Sequence, residues 1–195
     1  MTACLGIDVG IRNLSYCILQ REENNTFRIP EWRLVDVLQL CGMADVSCDK
    51  LTSNEIHDIA SFALPKIFSV NSLQLHNIAH VSIEQQPHGK YGNQKIILFS
   101  HLIFEYFRSR LLNQSIGDKL ETVFFTGAAK KYEKKWLVEH RLPKPTNYAQ
   151  RKQTSVKLCD LLCKNMGLSL SPIGAKRDDL ADAFLLALIG WDRVT

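Results

Sequence analysis

The sequence predicts a mixed α/β fold: a five-stranded sheet, three strands antiparallel and then two alternating with helices, flanked by helices. Three observations predict it. Residues 2–38 contain three short β-patterned runs joined by polar turns. Two later apolar runs, 78–84 and 120–125, flank a long stretch of helical periodicity. The last third of the chain shows helical periodicity and no strand pattern. An antiparallel start followed by alternating strands and helices indicates a mixed sheet covered by helices.

Residues 2–8 read as the first strand, and Asp8-Val9-Gly10 as the turn that ends it, with Gly10 free to take an awkward backbone angle. Leu14 to Leu19 is the second strand, making a hairpin with the first. Glu22-Glu23-Asn24-Asn25 is a polar turn, and Glu31 to Leu38 the third strand. A helix is expected from about Asn54 to Phe68, where Ile56, Ile59, Ala60, Ala63, Leu64 and Ile67 share a face. Ser53 or Asn54 would cap it, and Pro65 should kink or shorten it.

Residues 78–84 form the fourth strand, and 85–93 a polar loop. The helix predicted from Gln94 to Leu112 is apolar around much of its circumference, which suits a central helix or one shared with a second subunit. Residues 120–125 are the fifth strand. The basic stretch that follows, with Pro143 and Pro145, reads as a loop with little fixed structure. Helices are expected from Tyr148 to Met166 and from Asp178 to Trp191, with Ser171 to Gly174 turning the chain between them.

A length of 195 residues, 46% of them apolar and 23% charged, suits a single globular domain spanning 1–195. No apolar stretch approaches the ~20 residues of a membrane span, so no membrane partner is expected. A strand starting within a few residues of Met1 leaves no room for a signal or transit peptide, so an intracellular protein is expected. The six cysteines form no C-x-x-C pair and read as free thiols of a reducing compartment. Cys159 and Cys163 share a helix face, but no paired His or Cys motif supplies the two further ligands of a zinc site.

The net charge of +4 is unevenly spread. Between Ala128 and Gln153 stand Lys130, Lys131, Lys134, Lys135, Arg141, Lys144, Arg151 and Lys152, opposed only by Glu133 and Glu139. Tyr132, Trp136 and Tyr148 are interleaved with them. Positive charge among aromatics suits a polyanion with accessible bases; the plain alternative is a solvated basic loop.

The chemistry is concentrated in carboxylates. Asp8 closes the first strand, Glu84 closes the fourth, and Asp178, Asp179 and Asp182 open the last helix. Strand-end carboxylates are costly to desolvate alone, and several brought together repel unless a cation is shared. In a mixed sheet the ends of strands one and four can lie side by side. Either Asp178 or Asp179, with Asp182, falls on one helix face. Such a set is suited to two Mg²⁺ ions and phosphodiester hydrolysis. Each acid also has a plainer role as a turn residue, a salt-bridged strand end or a helix cap.

These motifs resemble those of a known family. Gly6-Ile7-Asp8-Val9-Gly10-Ile11-Arg12-Asn13-Leu14, Ile83-Glu84-Gln85-Gln86 and Lys176 to Ala183 are similar, in this order, to motifs of the RuvC-like Holliday junction resolvases. These belong to the ribonuclease H-like superfamily, and the likeness is to the poxvirus, iridovirus and fungal mitochondrial branch. The resemblance covers essentially the whole chain. It lacks the N-terminal DNA-binding extension of fungal members, which favours a viral type and the host cytoplasm.

The resemblance implies a homodimeric endonuclease that resolves four-way branched DNA by paired symmetric nicks, in recombination, repair or the resolution of viral genome concatemers. Asp8, Glu84, Asp179 and Asp182 would bind two Mg²⁺ ions, with Mn²⁺ as a substitute, and Asp178 is an alternative to Asp179. Lys152 would assist at the scissile phosphate, with Lys130 and Arg151 as rivals and a simple backbone-phosphate contact as the plainer role. Gln85, Gln86, Lys90 and Tyr91, with His88 and Asn93, would enter the junction. Lys130, Lys131, Lys134, Lys135, Arg151 and Lys152 would contact DNA. The helix around Phe99 to Phe107 would be the dimer surface, or simply core. Two alternatives stay open: a ribonuclease H-like nuclease acting on RNA or RNA–DNA hybrid, and a non-catalytic nucleic-acid-binding module.

Overall fold

The computed structural model describes residues 2–69, 77–87, 92–113, 119–168 and 176–194, without the side chains of Lys134 and Val194. Five strands form one sheet: β1 (Thr2–Asp8), β2 (Leu14–Arg21), β3 (Phe27–Val35), β4 (Ile78–Gln85) and β5 (Thr122–Gly127). Their order is β3-β2-β1-β4-β5. β1 pairs antiparallel with β2, and β2 with β3, while β1–β4 and β4–β5 are parallel. This is the predicted mixed sheet, with β1 at its centre. The helices are α1 (Val37–Leu40), α2 (Ser53–Ile67), α3 (Gln94–Leu112), α4 (Lys134–Glu139), α5 (Tyr148–Asn165) and α6 (Arg177–Val194).

Alternate residues of β1 serve two cores, because successive side chains of a strand point to opposite faces. Ala3, Leu5 and Ile7 pack with Ile59, Ala63 and Leu64 of α2 and Phe99, Ile103 and Phe107 of α3. Cys4, on the other face, joins Leu158 and Cys159 of α5 and Phe184, Leu185 and Leu188 of α6. Gly6 on that face lets α6 lie directly against the strand. A Cβ built there would stand 2.2 Å from Ala183 O and 2.3 Å from Ala187 N.

Several local expectations change. β3 begins at Phe27 rather than Glu31, because Pro30 does not interrupt it. The ladder shifts register there: Ile18 pairs with Glu31, but Gln20 pairs with Arg28. A bulge on an edge strand asks no ladder hydrogen bond of a proline. β3 ends at Val35, and Asp36 caps α1 by accepting from Gln39 N at 3.0 Å. α2 is capped by Thr52, through a reciprocal pair with Glu55, rather than by Ser53 or Asn54. Pro65 lies inside the helix, which continues to Ile67, so the expected shortening is not seen.

The basic segment is a loop only around Pro143 and Pro145, over residues 140–147. A 3₁₀ turn over Ala128–Tyr132 follows β5 without a break and leads into α4, and Trp136 and Leu137 are buried. Phe99 and Phe107 are wholly buried in the chain's own core, so neither lies on a dimer surface. The predicted turn from Ser171 to Gly174 lies outside the described residues. All six cysteines are free thiols. No helix among the described residues is long and apolar enough to cross a membrane.

Candidate active site

Asp8 ends β1 and Glu84 lies next to the end of the adjacent parallel strand, where Ile7 is in register with Ile83. Two carboxylates thus meet at the carboxyl ends of neighbouring parallel strands, the usual ligand position of such sheets. The third comes from α6, which is anchored from behind. Ser15 Oγ donates to Asp179 O at 2.6 Å, Trp32 Nε1 to Leu180 O at 2.8 Å, and Trp191 Nε1 to Leu19 O at 3.0 Å. With the helix fixed at both ends, Asp182 projects towards the strand ends. Asp8, Glu84 and Asp182 each offer an oxygen within 4.8 Å of the other two.

A lysine completes this group. Lys131 Nζ lies 2.7 Å from Glu84 Oε1 and 2.7 Å from Asp182 Oδ2, and its side chain is only 3% exposed. Gln86 Nε2 donates to the other Glu84 oxygen at 3.2 Å. Asp182 Oδ1 is buried and has no hydrogen-bond donor among the described residues.

The charges respond accordingly. Burial, together with the charge of Glu84 and a hydrogen bond to it, pushes the Asp8 carboxyl well above its ordinary value. Burial would raise Glu84 too, but the Lys131 ammonium and the hydrogen bonds it receives outweigh that and hold it low. Asp182 is raised by burial against the opposing pull of Lys131. Lys131 itself is raised: burial disfavours its charge, but Glu84, Asp182 and Asp8 together favour it more. Without a metal the site therefore holds an ammonium beside ionised Glu84, while Asp8 keeps its proton more readily than an ordinary aspartate.

The group opens into a cleft of about 250 Å³, on whose walls Arg151, Lys152, Asp178 and Asp179 also stand. Asp178 is engaged by Lys152, whose ammonium is stabilised by that hydrogen bond. Asp179 is pushed up to about 6, by burial and by the charge of Asp178. Neither belongs to the tight three-carboxylate group. The donor set of that group nonetheless fits a hard divalent cation: it is all carboxylate oxygen, and one buried oxygen has no donor at hydrogen-bonding distance among the described residues.

The predicted DNA-contacting residues divide into sets. Gln86, Arg151 and Lys152 line the acidic cleft, with Lys131 at its floor. Lys130 and Lys135 line a separate groove of about 380 Å³ with Arg193, and pair with Glu133 and Asp192. Gln85 is exposed at the end of β4 and is not part of the cleft wall. Lys131 corrects the expectation of a surface phosphate contact, because its ammonium is enclosed by carboxylates. Lys90, Tyr91 and His88 lie outside the described residues, as does the side chain of Lys134.

Two of the aromatics interleaved with the basic residues, Tyr132 and Tyr148, also line the cleft. Tyr132 Oη shares a hydrogen bond with Ser155 Oγ at 2.9 Å and lines the cleft. Tyr148 is 67% exposed at the cleft rim, with the Lys152 ammonium 5.1 Å from its ring centre. Its spacing of three and four residues from Arg151 and Lys152 on one helix is a readable signal.

Comparison with known proteins agrees with the fold. Residues 4–97 match the family model described as mitochondrial resolvase Ydc2 / RNA splicing MRS1. No curated protein sequence matches the chain. Among solved structures, the yeast mitochondrial Holliday junction resolvase Ydc2 superposes with a TM-score of 0.65 at 19% identity, over 97% of this chain and 78% of that one. RuvC of T. thermophilus, in complex with Holliday junction substrate, gives 0.56 at 16% identity over 98% and 95%. The fowlpox virus resolvase with substrate Holliday junction DNA gives 0.52 at 17% identity over 99% of each.

Proposed function

We propose that this chain, whose fold is the ribonuclease H-like fold of the RuvC-like resolvases, is a divalent-metal-dependent endonuclease that resolves four-way DNA junctions by paired symmetric nicks. The observation that carries the reading is the convergence of Asp8, Glu84 and Asp182 at the carboxyl ends of β1 and β4, with Arg151 and Lys152 on the same cleft. Those three carboxylates would hold Mg²⁺, for which Mn²⁺ would substitute, and Asp179, on the wall of the same cleft, would add a fourth. A divalent cation there supplies Lewis-acid polarisation of a phosphodiester oxygen.

The chain's own groups do the rest. Gln86 fixes one Glu84 oxygen, leaving the carboxylate a single orientation. Lys152, more than a third exposed and paired with Asp178, would turn to a phosphate and stabilise charge developing on it. Arg151 beside it offers a second cation for the backbone. Paired nicks require two sites, and we propose a homodimer. Its surface would use the flank of α3 that carries partly buried Leu98, Leu102 and Phe104, not the core-facing Phe99 and Phe107. The matched family description also names RNA splicing, which keeps an RNA substrate as the second reading.

Binding tests the choice of substrate without catalysis. In Ca²⁺ the protein should bind a four-way DNA junction more tightly than a linear duplex of the same arms. Replacing Lys130, Lys135 and Arg151 by glutamine should weaken that binding and flatten its salt dependence, by about 0.9 in the log–log slope for each phosphate no longer neutralised. Equal affinity for junction and duplex would argue against the junction reading. An unchanged salt slope would remove these three residues from the DNA path.

A further inference from the structure

Lys131 differs from its neighbours Lys130 and Lys135. Those two are more than half exposed and pair with acids at the surface, Lys130 with Glu133 and Lys135 with Asp192 and, at 4.0 Å, with Glu133. Lys131 is buried, and its ammonium bridges two carboxylates that belong to different elements, β4 and α6. The placement is built by the backbone. The 3₁₀ turn over Ala128–Tyr132 starts where β5 ends, and Tyr132 Oη ties that turn to α5 through Ser155 Oγ at 2.9 Å and Arg151 O at 3.2 Å. With Tyr132 held on α5, the preceding side chain enters the carboxylate group.

Three carboxylates within 4.8 Å of one another repel strongly unless a cation lies among them. In the absence of metal, Lys131 is that cation. Both Glu84 and Asp182 give it one oxygen at hydrogen-bonding distance, and its three donor protons are suited to more than one acceptor. A divalent cation bridging the same two oxygens would sit against the ammonium, and two cations in one carboxylate pocket repel.

We infer that Lys131 is a resident counter-cation of the carboxylate group, and that its ammonium must leave the Glu84–Asp182 pair before a divalent cation can bridge these two residues. This rests on reading the group as a metal centre. Lys131 lines the same cleft as Tyr132, Arg151 and Lys152, so a displaced ammonium would move into the space where a phosphate would be received. Metal entry and substrate charge would then act in the same direction on one lysine. The carboxylates would stay assembled before metal arrives, instead of waiting for it.

The test uses the full chain without DNA. Mn²⁺ binding is measured by titration calorimetry for the wild type and for Lys131→Met, which keeps length and removes charge. In parallel, wild-type lysines are acetylated with and without saturating Mn²⁺ and read by mass spectrometry. The variant should bind Mn²⁺ about tenfold or more tightly, the scale of removing one like charge at contact distance. Lys131 should be among the least acetylated lysines without metal and should gain acetylation with Mn²⁺. Equal or weaker Mn²⁺ binding by a folded variant overturns the inference and leaves the metal centre standing. So does Lys131 protection that Mn²⁺ leaves unchanged, and that wild-type result decides alone if the variant does not fold. If neither protein binds Mn²⁺, the metal-centre reading falls and the inference falls with it.

Discussion

Replacing Asp8 with asparagine is expected to abolish junction cleavage, by at least about 1000-fold or roughly 4 kcal/mol of barrier, while leaving junction binding intact. Asn keeps the size and one acceptor but cannot give a metal an anionic oxygen. Asp8 ends the central strand beside a packed Ile7, and the cations expected to hold the DNA backbone, Arg151 and Lys152, stand on the cleft wall and are left in place. The substitution should also reveal itself in stability. Burial and the charge of Glu84 raise the Asp8 carboxyl far above its unfolded value. The folded protein therefore holds this proton where the unfolded chain has released it, and it loses stability as pH rises from the ordinary aspartate range through the raised value. Asn removes that loss, so metal-free Asp8→Asn should melt at or above the wild type near neutral pH. Mg²⁺ should raise the melting temperature of the wild type and not that of the variant, because only the wild type gains from selective binding to the folded state. Thermal melts with EDTA and with Mg²⁺, beside gel-shift and cleavage assays, read all of this. Loss of junction binding together with cleavage would show that Asp8 does structural work instead.

Gly6→Ala is expected to be the most damaging small change in the sheet. The new Cβ would meet Ala183 O at 2.2 Å, Ala187 N at 2.3 Å and Ala187 Cα at 2.9 Å, all backbone atoms of α6. No rotamer relieves a backbone contact, so the helix must move off β1. Overpacking of this kind costs about 1–3 kcal/mol or more. For a chain of this size that is a fall of roughly 2–12 °C in melting temperature. The displaced helix carries Asp182, one residue before Ala183, so the Mg²⁺-induced rise in melting temperature should shrink as well. Gly127→Ala is the control: nothing lies within 4 Å of its Cβ, and its melting temperature should match the wild type. A Gly6→Ala protein with wild-type stability would mean that α6 does not rest on β1 as described.

Gly6 also shows how far the sequence can be read. It lies inside the Gly6 to Leu14 motif that carries the family resemblance, yet its packing against Ala183, at the far end of the chain, is a tertiary fact. Asp8 and Glu84 are legible because each ends an apolar run, and strand order then brings such ends together. Asp182 is legible from its spacing at the start of a helix. The different surroundings of Asp178 and Asp179 are not, since Lys152 engages Asp178 from a neighbouring helix. Lys131 is the least legible of the site residues. A lysine beside Lys130, with Lys134 and Lys135 close behind, reads as surface charge, and lysines are rarely buried unless paired. Only the assembled carboxylates make its burial favourable. Trp136 and Leu137 are the available sign that this segment folds against the core. The start of β3 is hidden by Pro30, which a bulge at the sheet edge accommodates.

The central claim is that three converging carboxylates on this fold cut branched DNA. The most direct measurement incubates the purified chain and Mg²⁺ with an end-labelled four-way DNA junction, a linear duplex of the same arms and an RNA–DNA hybrid, each also with EDTA. The account predicts paired symmetric nicks in the junction alone, absent in EDTA. Cleavage of the hybrid with the junction untouched, or no cleavage of any substrate by folded protein in Mg²⁺, would contradict it.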